Sequence, residues 1–126
     1  MIVQAPQRSS GFQAPAPAGT YDLVVVEGPG VFLVAEVTKQ GGPGGTTNVL
    51  LDIDGRNVVA ISYAAARNIG LTAMNPFGIV LLSTPQIDNL TIGFPSPLHF
   101  ADKLVLSAIV NESGVLQLVA NVIHGK

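Results

Sequence analysis

Short runs of apolar, β-favouring residues recur along the chain from residue 20 onward, and Gly, Pro and Asn separate them. Breaks after every few residues are typical of antiparallel sandwiches and barrels, whose short strands are joined by turns. The pattern therefore predicts an all-β, eight-stranded antiparallel sandwich, although it leaves the order of the strands open. The predicted strands cover residues 20–27, 31–39, 47–54, 56–62, 77–83, 87–94, 103–110 and 115–124.

Several of these runs carry apolar side chains on both faces of the strand. Phe32 and Val34 share one face of the second predicted strand, whose other face is also apolar. Val119 and Ile123 share a face of the last strand, opposite Leu118 and its apolar neighbours. Because a free antiparallel sheet normally has one polar, solvated face, this pattern predicts a sheet that is covered on both sides.

The connections between the runs favour antiparallel pairing. The segments 27–30, 54–55 and 111–114 are short and contain Gly, which tolerates the positive φ of tight turns. Residues 40–45 (QGGPGG) form a longer segment that we predict to be a flexible loop.

One segment departs from the strand pattern and predicts a short helix near residues 63–69. Ser62 is suited to cap the start of a helix, three Ala follow, and Gly70 is suited to end it. We expect this helix to bridge two strands on the outside of the sandwich.

The first 19 residues are rich in Pro, Gln, Ala and Ser. Pro15 and Pro17 disfavour both helix and sheet interior, and they favour extended geometry. We therefore predict an extended arm over residues 1–19 and a β-sandwich domain over residues 20–126. The arm is expected either to be mobile or to dock on a neighbouring molecule, and the sequence leaves both alternatives open.

The low content of charged residues indicates that part of the surface contacts another protein. Charged residues make up 11% of the 126 residues, whereas ordinary soluble domains have about 25%. A sparsely charged surface is expected to be partly covered by protein, unless the abundant Ser, Thr, Asn, Gln and Gly keep the chain soluble alone.

The composition also disfavours several function classes. The six Lys and Arg residues are scattered singly, so no basic stripe is available for nucleic acid. The absence of Cys excludes disulfides and thiolate metal sites. No apolar segment reaches the roughly 18 residues of a membrane span, and the first residues do not resemble a signal peptide.

Candidate chemistry is sparse. The segment Asp52–Gly55 has the spacing of the start of a calcium loop, but the later Glu is missing, and a hairpin turn explains the same residues. His99 and His124 are the only histidines, and no Gly-x-Ser-x-Gly motif accompanies them. We therefore predict no enzyme activity and no cofactor or metal; a metal-dependent cupin-type barrel would need more histidines.

Residues 50–56 (LLDIDGR) contain an Asp-Gly hairpin, and residues 92–100 (IGFPSPLHF) contain a Pro-Leu-x-Phe segment that leads into the apolar residues 103–106 (KLVL). These segments resemble small jelly-roll proteins of bacteriophage virions. The resemblance implies a jelly-roll-like fold and a non-enzymatic role in head decoration, cementing or a fibre base. It also implies a trimer or other homo-oligomer, contacts with the major capsid protein or a neighbouring virion protein, and a location in the virion after synthesis in the host cytoplasm.

The contact residues expected for the structural role fall into an arm set and a sheet-face set. The arm candidates are Phe12, Pro15 and Pro17, and the sheet-face candidates are Phe32, Val34, Val119 and Ile123.

The alternative function is a receptor- or glycan-binding module of a phage fibre. It would place the contacts in loops 40–46 and 70–76.

Overall fold

The structure is a computed structural model that describes residues 4–126 as two antiparallel sheets and one short helix. Residues 1–3 of the predicted arm lie outside the described residues. The elements are β1 (Gln7–Gln13), β2 (Gly19–Glu27), β3 (Gly30–Gly41), β4 (Asn48–Ile53), β5 (Arg56–Ser62), α1 (Tyr63–Asn68), β6 (Ile79–Ser83), β7 (Ile87–Ile92), β8 (Leu98–Phe100), β9 (Lys103–Val110) and β10 (Val115–Gly125).

The two sheets differ in size and form a sandwich. The large sheet has six strands, five of which follow the order β1-β10-β3-β7-β6. The sixth strand, β8, pairs with the first residues of β3, whereas β7 pairs with the later ones. The small sheet has four strands in the order β2-β9-β4-β5. The predicted all-β, jelly-roll-like antiparallel sandwich is confirmed, with ten strands in place of the predicted eight. Each predicted run contains a strand, and β1 and β8 are additional.

The core lies between the sheets and is built by alternation along the strands. In β10, Leu118, Ala120 and Val122 are fully buried, and β9 contributes Leu104 and Leu106 from the opposite sheet. Since side chains alternate between the faces of a strand, the intervening residues of β10 point away from the core. Burial of apolar area at about 25 cal/mol per Å² drives this packing.

Strand β1 lies within the segment predicted as an arm. It pairs antiparallel with β10, from Gln7 opposite His124 to Gln13 opposite Leu118. Gly11 permits β1 to pass close to the small sheet, because a Cβ atom there would lie 1.7 Å from the carbonyl oxygen of Leu23. Residues 7–13 therefore form one edge of the large sheet.

A β-bulge in β3 changes which side chains face the core. Val34 pairs with Ile123 and Phe32 pairs with His124, so Leu33 is one extra residue between two consecutive pairs. The extra residue turns Phe32 inward, where it is 0% exposed and its ring centroid lies 6.1 Å from that of Phe94. The sequence pattern placed Phe32 on the face of Val34; the structure corrects this, and Phe32 is a core residue.

The predicted short helix is present as α1, and its start is capped as expected. The Ser62 hydroxyl accepts a hydrogen bond from the Ala65 amide at 3.0 Å. The fully buried Tyr63 donates its hydroxyl to the carbonyl of Val37 at 2.9 Å. No helix within residues 4–126 is long and apolar enough to cross a membrane.

Candidate functional site

The side chains of β1, β10, β3, β7 and β6 that point away from the core form a surface that we call the outer face. Four of the predicted contact residues lie together on it. Phe12 is paired with Val119, and Val34 is paired with Ile123, which places the four residues on three adjacent strands. Phe12 is 63% exposed, and the other three are half-buried.

The remaining predicted contact residues lie elsewhere. Pro15 and Pro17 are exposed in the connection between β1 and β2, away from the outer face. Their carbonyl oxygens accept hydrogen bonds from Gln13 and Tyr21, at 3.0 and 2.6 Å. Phe32 lies in the core, so it has no exposed surface with which to contact another molecule.

A row of polar side chains crosses the middle of the outer face. The register places Ser10, Asn121, Glu36 and Thr91 side by side on β1, β10, β3 and β7. The Ser10 hydroxyl donates to Asn121 Oδ1 at 2.6 Å, and Asn121 Nδ2 donates to Glu36 Oε1 at 2.6 Å. Side chains on three adjacent strands are thereby linked.

The second carboxylate oxygen of Glu36 accepts hydrogen bonds from side chains in the adjacent row of the outer face. Thr38 Oγ1 and Asn89 Nδ2 donate to Glu36 Oε2 at 2.8 and 3.0 Å. Glu36 thus accepts three hydrogen bonds from neutral groups, and its carboxylate has a defined position on the face. The sequence pattern indicated an apolar surface here; the structure shows a polar strip between apolar residues.

Charge on the outer face is confined to two side chains of opposite sign. Arg8 on β1 is exposed, and Glu36 on β3 is half-buried. Within residues 4–126, neither side chain forms an ion pair. The outer face therefore combines apolar residues with two separated, uncompensated charges.

A second polar cluster lies inside the sandwich, at the end where β3 finishes. The Lys39 side chain is fully buried, and its Nζ lies 3.5 Å from Asp88 Oδ2 and 3.4 Å from Glu112 Oε2. The same Nζ donates to the carbonyl oxygens of Gly41 and Gly42. All these contacts are internal, which is typical of a structural ion cluster.

Glu112 connects this ion cluster to the glycine-rich loop. Its carboxylate accepts hydrogen bonds from the Gly45 amide at 3.0 Å, from the Thr47 amide at 3.0 Å and from the Thr47 hydroxyl at 2.7 Å. Burial alone would raise the pKa of Glu112, but these donors and the Lys39 ammonium hold it below its ordinary value. The loop 40–45, predicted to be flexible, is thus attached to the turn before β10.

The residues considered for metal or catalytic chemistry lie in a turn and on strands of the sandwich. Asp54 and Gly55 have positive φ of 52° and 79° and form the hairpin turn that explained Asp-x-Asp-Gly. His124 Nε2 lies 2.8 Å from the Ser9 hydroxyl, whereas His99 is exposed on β8. Within residues 4–126, no group of three or more His, Cys, Asp or Glu is arranged to hold a metal ion.

Comparison with known proteins identifies a shared fold. No protein-family model and no curated protein sequence matches this chain. A chain in the acid-stable capsid structure of Helicobacter pylori bacteriophage KHP30 is similar in structure, with a TM-score of 0.58 at 11% identity. The similarity covers 99% of this chain and 90% of that chain.

A weaker match is to the structure of infectious bursal disease virus, Gx strain, with a TM-score of 0.28 at 11% identity. It covers 97% of this chain and 41% of that chain, and a match at this level supports no argument. At 11% identity, the match to the phage capsid chain shows a common fold.

Proposed function

We propose that this chain is a non-enzymatic structural protein of a bacteriophage virion, which decorates or cements a capsid. The observation that carries the proposal is the shared fold with a chain of the phage capsid structure over nearly the whole length of both chains. The partners are further copies of the chain, as a trimer or other homo-oligomer, and the major capsid protein or a neighbouring virion protein. The protein is made in the host cytoplasm and works in the virion.

The outer face is the contact surface in this proposal. Phe12, Val34, Val119 and Ile123 are the apolar contacts, and each Å² that they bury contributes about 25 cal/mol before association costs are deducted. Pro15 and Pro17 provide a second, exposed contact beside β1. Repetition of the same contact around a symmetric shell increases the total binding through avidity.

A protein partner fits this face better than a nucleic acid does. Arg8 is the one cation on the outer face, and phosphate binding needs several basic side chains on one surface. A receptor or glycan partner would bind instead at loops 40–46 and 70–76, where Met74 is 96% exposed.

The first test is whether purified particles of the virus that carries this gene contain the protein. The second is whether the protein binds these particles through its outer face. Particles assembled without the protein are incubated with the wild type, with Val119→Glu or with Ile123→Glu, and are then sedimented. Because a charge would be buried without a partner at the contact, we expect at least about a tenfold loss of binding for each variant.

Val58→Glu is the matched control, since Val58 is 45% exposed but lies on β5 of the small sheet. It should bind like the wild type. Absence of the protein from the particles, or equal binding by all variants, would contradict the proposal. Binding to host-surface glycans that is lost in Met74→Ser would instead support the receptor-binding alternative.

A further inference from the structure

Among residues 4–126, the two charges of the outer face have no partner of opposite charge. Arg8 makes no hydrogen bond or ion pair through its side chain among residues 4–126. The Glu36 carboxylate receives hydrogen bonds from Asn121, Thr38 and Asn89, all of which are neutral. Its negative charge is positioned by these donors but not neutralised.

Arg8 and Glu36 lie on opposite sides of β10. Ile123 pairs with Arg8 on one side and with Val34 on the other, while Asn121 pairs with Glu36 one row further along. Two strand spacings and one row of side chains separate the charges by about 12 Å between their Cβ atoms, too far for a close ion pair.

This placement is self-complementary. Consider a two-fold axis that lies in the plane of the face, passes through the midpoint between the two charges and is perpendicular to the line that joins them. Rotation about this axis exchanges the position of Arg8 with that of Glu36. The midpoint falls over β10, between Asn121 and Ile123. A second copy placed by this axis presents its Glu36 to Arg8 and its Arg8 to Glu36.

We propose that the outer face binds the outer face of a second copy of this chain, with two reciprocal Arg8–Glu36 ion pairs across a two-fold axis. The same rotation brings Ile123 of each copy close to Val34 of the other, so apolar contacts lie beside the charge pairs. The inference rests on the proposed use of the outer face as a contact surface, and it names the partner and the geometry.

The size of the face indicates how strong this dimer is. Five strands about 4.8 Å apart and about eight residues long cover roughly 600 Å² of flat area. Stable interfaces usually bury about 800 Å² per partner. We therefore expect a dimer that dissociates on dilution and weakens at high salt, since salt screens charge pairs at the rim of an interface.

Charge reversal tests the reciprocal pairing. Arg8→Glu and Glu36→Arg are each examined by sedimentation velocity from about 1 μM to about 1 mM, the range in which small interfaces dissociate. Each variant alone places like charges opposite each other twice, and its dimer dissociation constant should rise at least about tenfold. A mixture of the two variants places opposite charges at both sites, so a one-to-one heterodimer should form.

Arg56→Glu controls for net charge, because Arg56 is exposed on β5 of the small sheet, and its dimer should match the wild type. Glu36→Gln keeps an acceptor for the neighbouring donors, and it replaces Glu36→Arg in the homodimer measurement if that variant does not fold. Its dissociation constant should rise by a smaller factor than that of Arg8→Glu.

A wild type that stays monomeric over the whole range would overturn the inference. So would a trimer, an Arg8→Glu dimer as strong as the wild type, or the lack of a heterodimer between two folded variants. If the monomeric wild type still binds virus particles through Val119 and Ile123, the proposed function stands and the dimer alone is rejected.

Discussion

At the scale of single residues, small side chains and backbone freedom decide where strands approach each other. Gly11 is the clearest case, because it lies where the inner side of β1 meets the backbone of β2. The residue has no side chain to bury, so no hydrophobic pattern draws attention to it. Because Gly11 has no Cβ atom, the edge strand β1 of the large sheet can contact the small sheet.

Gly11→Ala is therefore expected to destabilise the protein. The added Cβ would lie 1.7 Å from the Leu23 carbonyl oxygen, a backbone atom that cannot turn aside. We expect the free energy of unfolding to fall by about 1–3 kcal/mol, the usual cost of overpacking, as measured by urea denaturation.

Gly44→Ala is the matched control for this prediction. The nearest atom to a Cβ there is Glu112 Oε1 at 3.6 Å, an ordinary contact. The expected change is within about 0.5 kcal/mol, as for most surface substitutions. Equal effects of both variants would show that Gly11 is not a special position.

At the scale of elements, α1 joins the two sheets. It follows β5 of the small sheet and precedes β6 of the large sheet. Its first residue, Tyr63, reaches through the core to the Val37 carbonyl on β3, and its ring lies 5.1 Å from Lys39 Nζ. A helix of six residues gains little stability by itself, so these contacts hold it in place.

Tyr63→Phe is predicted to lower the free energy of unfolding by about 1–2 kcal/mol, because a buried hydrogen bond is lost while the ring is kept. Tyr21→Phe also removes a hydroxyl bonded to a carbonyl, that of Pro17, but at an exposed site. Water can replace that bond, so we expect a change below about 0.5 kcal/mol. Similar losses in both variants, measured by thermal unfolding, would contradict the assigned role of Tyr63.

At the scale of the whole molecule, the ion cluster closes one end of the sandwich. Lys39 comes from the large sheet, Glu112 from the turn before β10, and Asp88 from β7. Arg67 of α1 adds a further contact to Asp88 at 3.4 Å. A few charged side chains therefore connect separate elements of the fold.

Stability is predicted to decrease in acid, partly through Glu112. Its pKa is lowered from an ordinary value of 4.5, so the folded chain keeps the carboxylate ionised where the unfolded chain would bind a proton. The stabilisation is complete above about pH 4.5 and is lost as the pH falls through the lowered pKa. Asp54 acts in the same direction, since hydrogen bonds from the backbone amides after β8 lower its pKa.

Glu112→Gln should lower the free energy of unfolding by about 2 kcal/mol at pH 7, the scale of hydrogen bonds to a charged group. The difference from the wild type should begin to shrink below about pH 4.5, where the unfolded wild type binds a proton at Glu112. It should be smallest below the lowered pKa, where the folded wild type also carries a neutral side chain. Urea titrations at a series of pH values measure both effects. Glu27→Gln, at an exposed position, is the control, and a pH-independent difference for Glu112→Gln would contradict the mechanism.

The strands and the helix could be predicted because their signals are local. Alternating apolar residues and the turns between them identified eight strands, and the Ser62 cap with its following alanines identified α1. Strand β1 was not identified as a strand, because residues 7–13 are mostly polar and their pairing depends on the edge of β10. Phe32 was placed on the outer face because a β-bulge leaves no clear signal in the alternation.

The sequence by itself determined the all-β class, the position of most strands, the short helix and the low surface charge, since each depends on residue type and near neighbours. Only the tertiary structure decided that Arg8 and Glu36 share a face, that Phe12 and Val119 are paired, and that Lys39 is buried against two carboxylates. These features join residues far apart in the chain. Strand order and register bring such residues together, and local propensity contains no information about either.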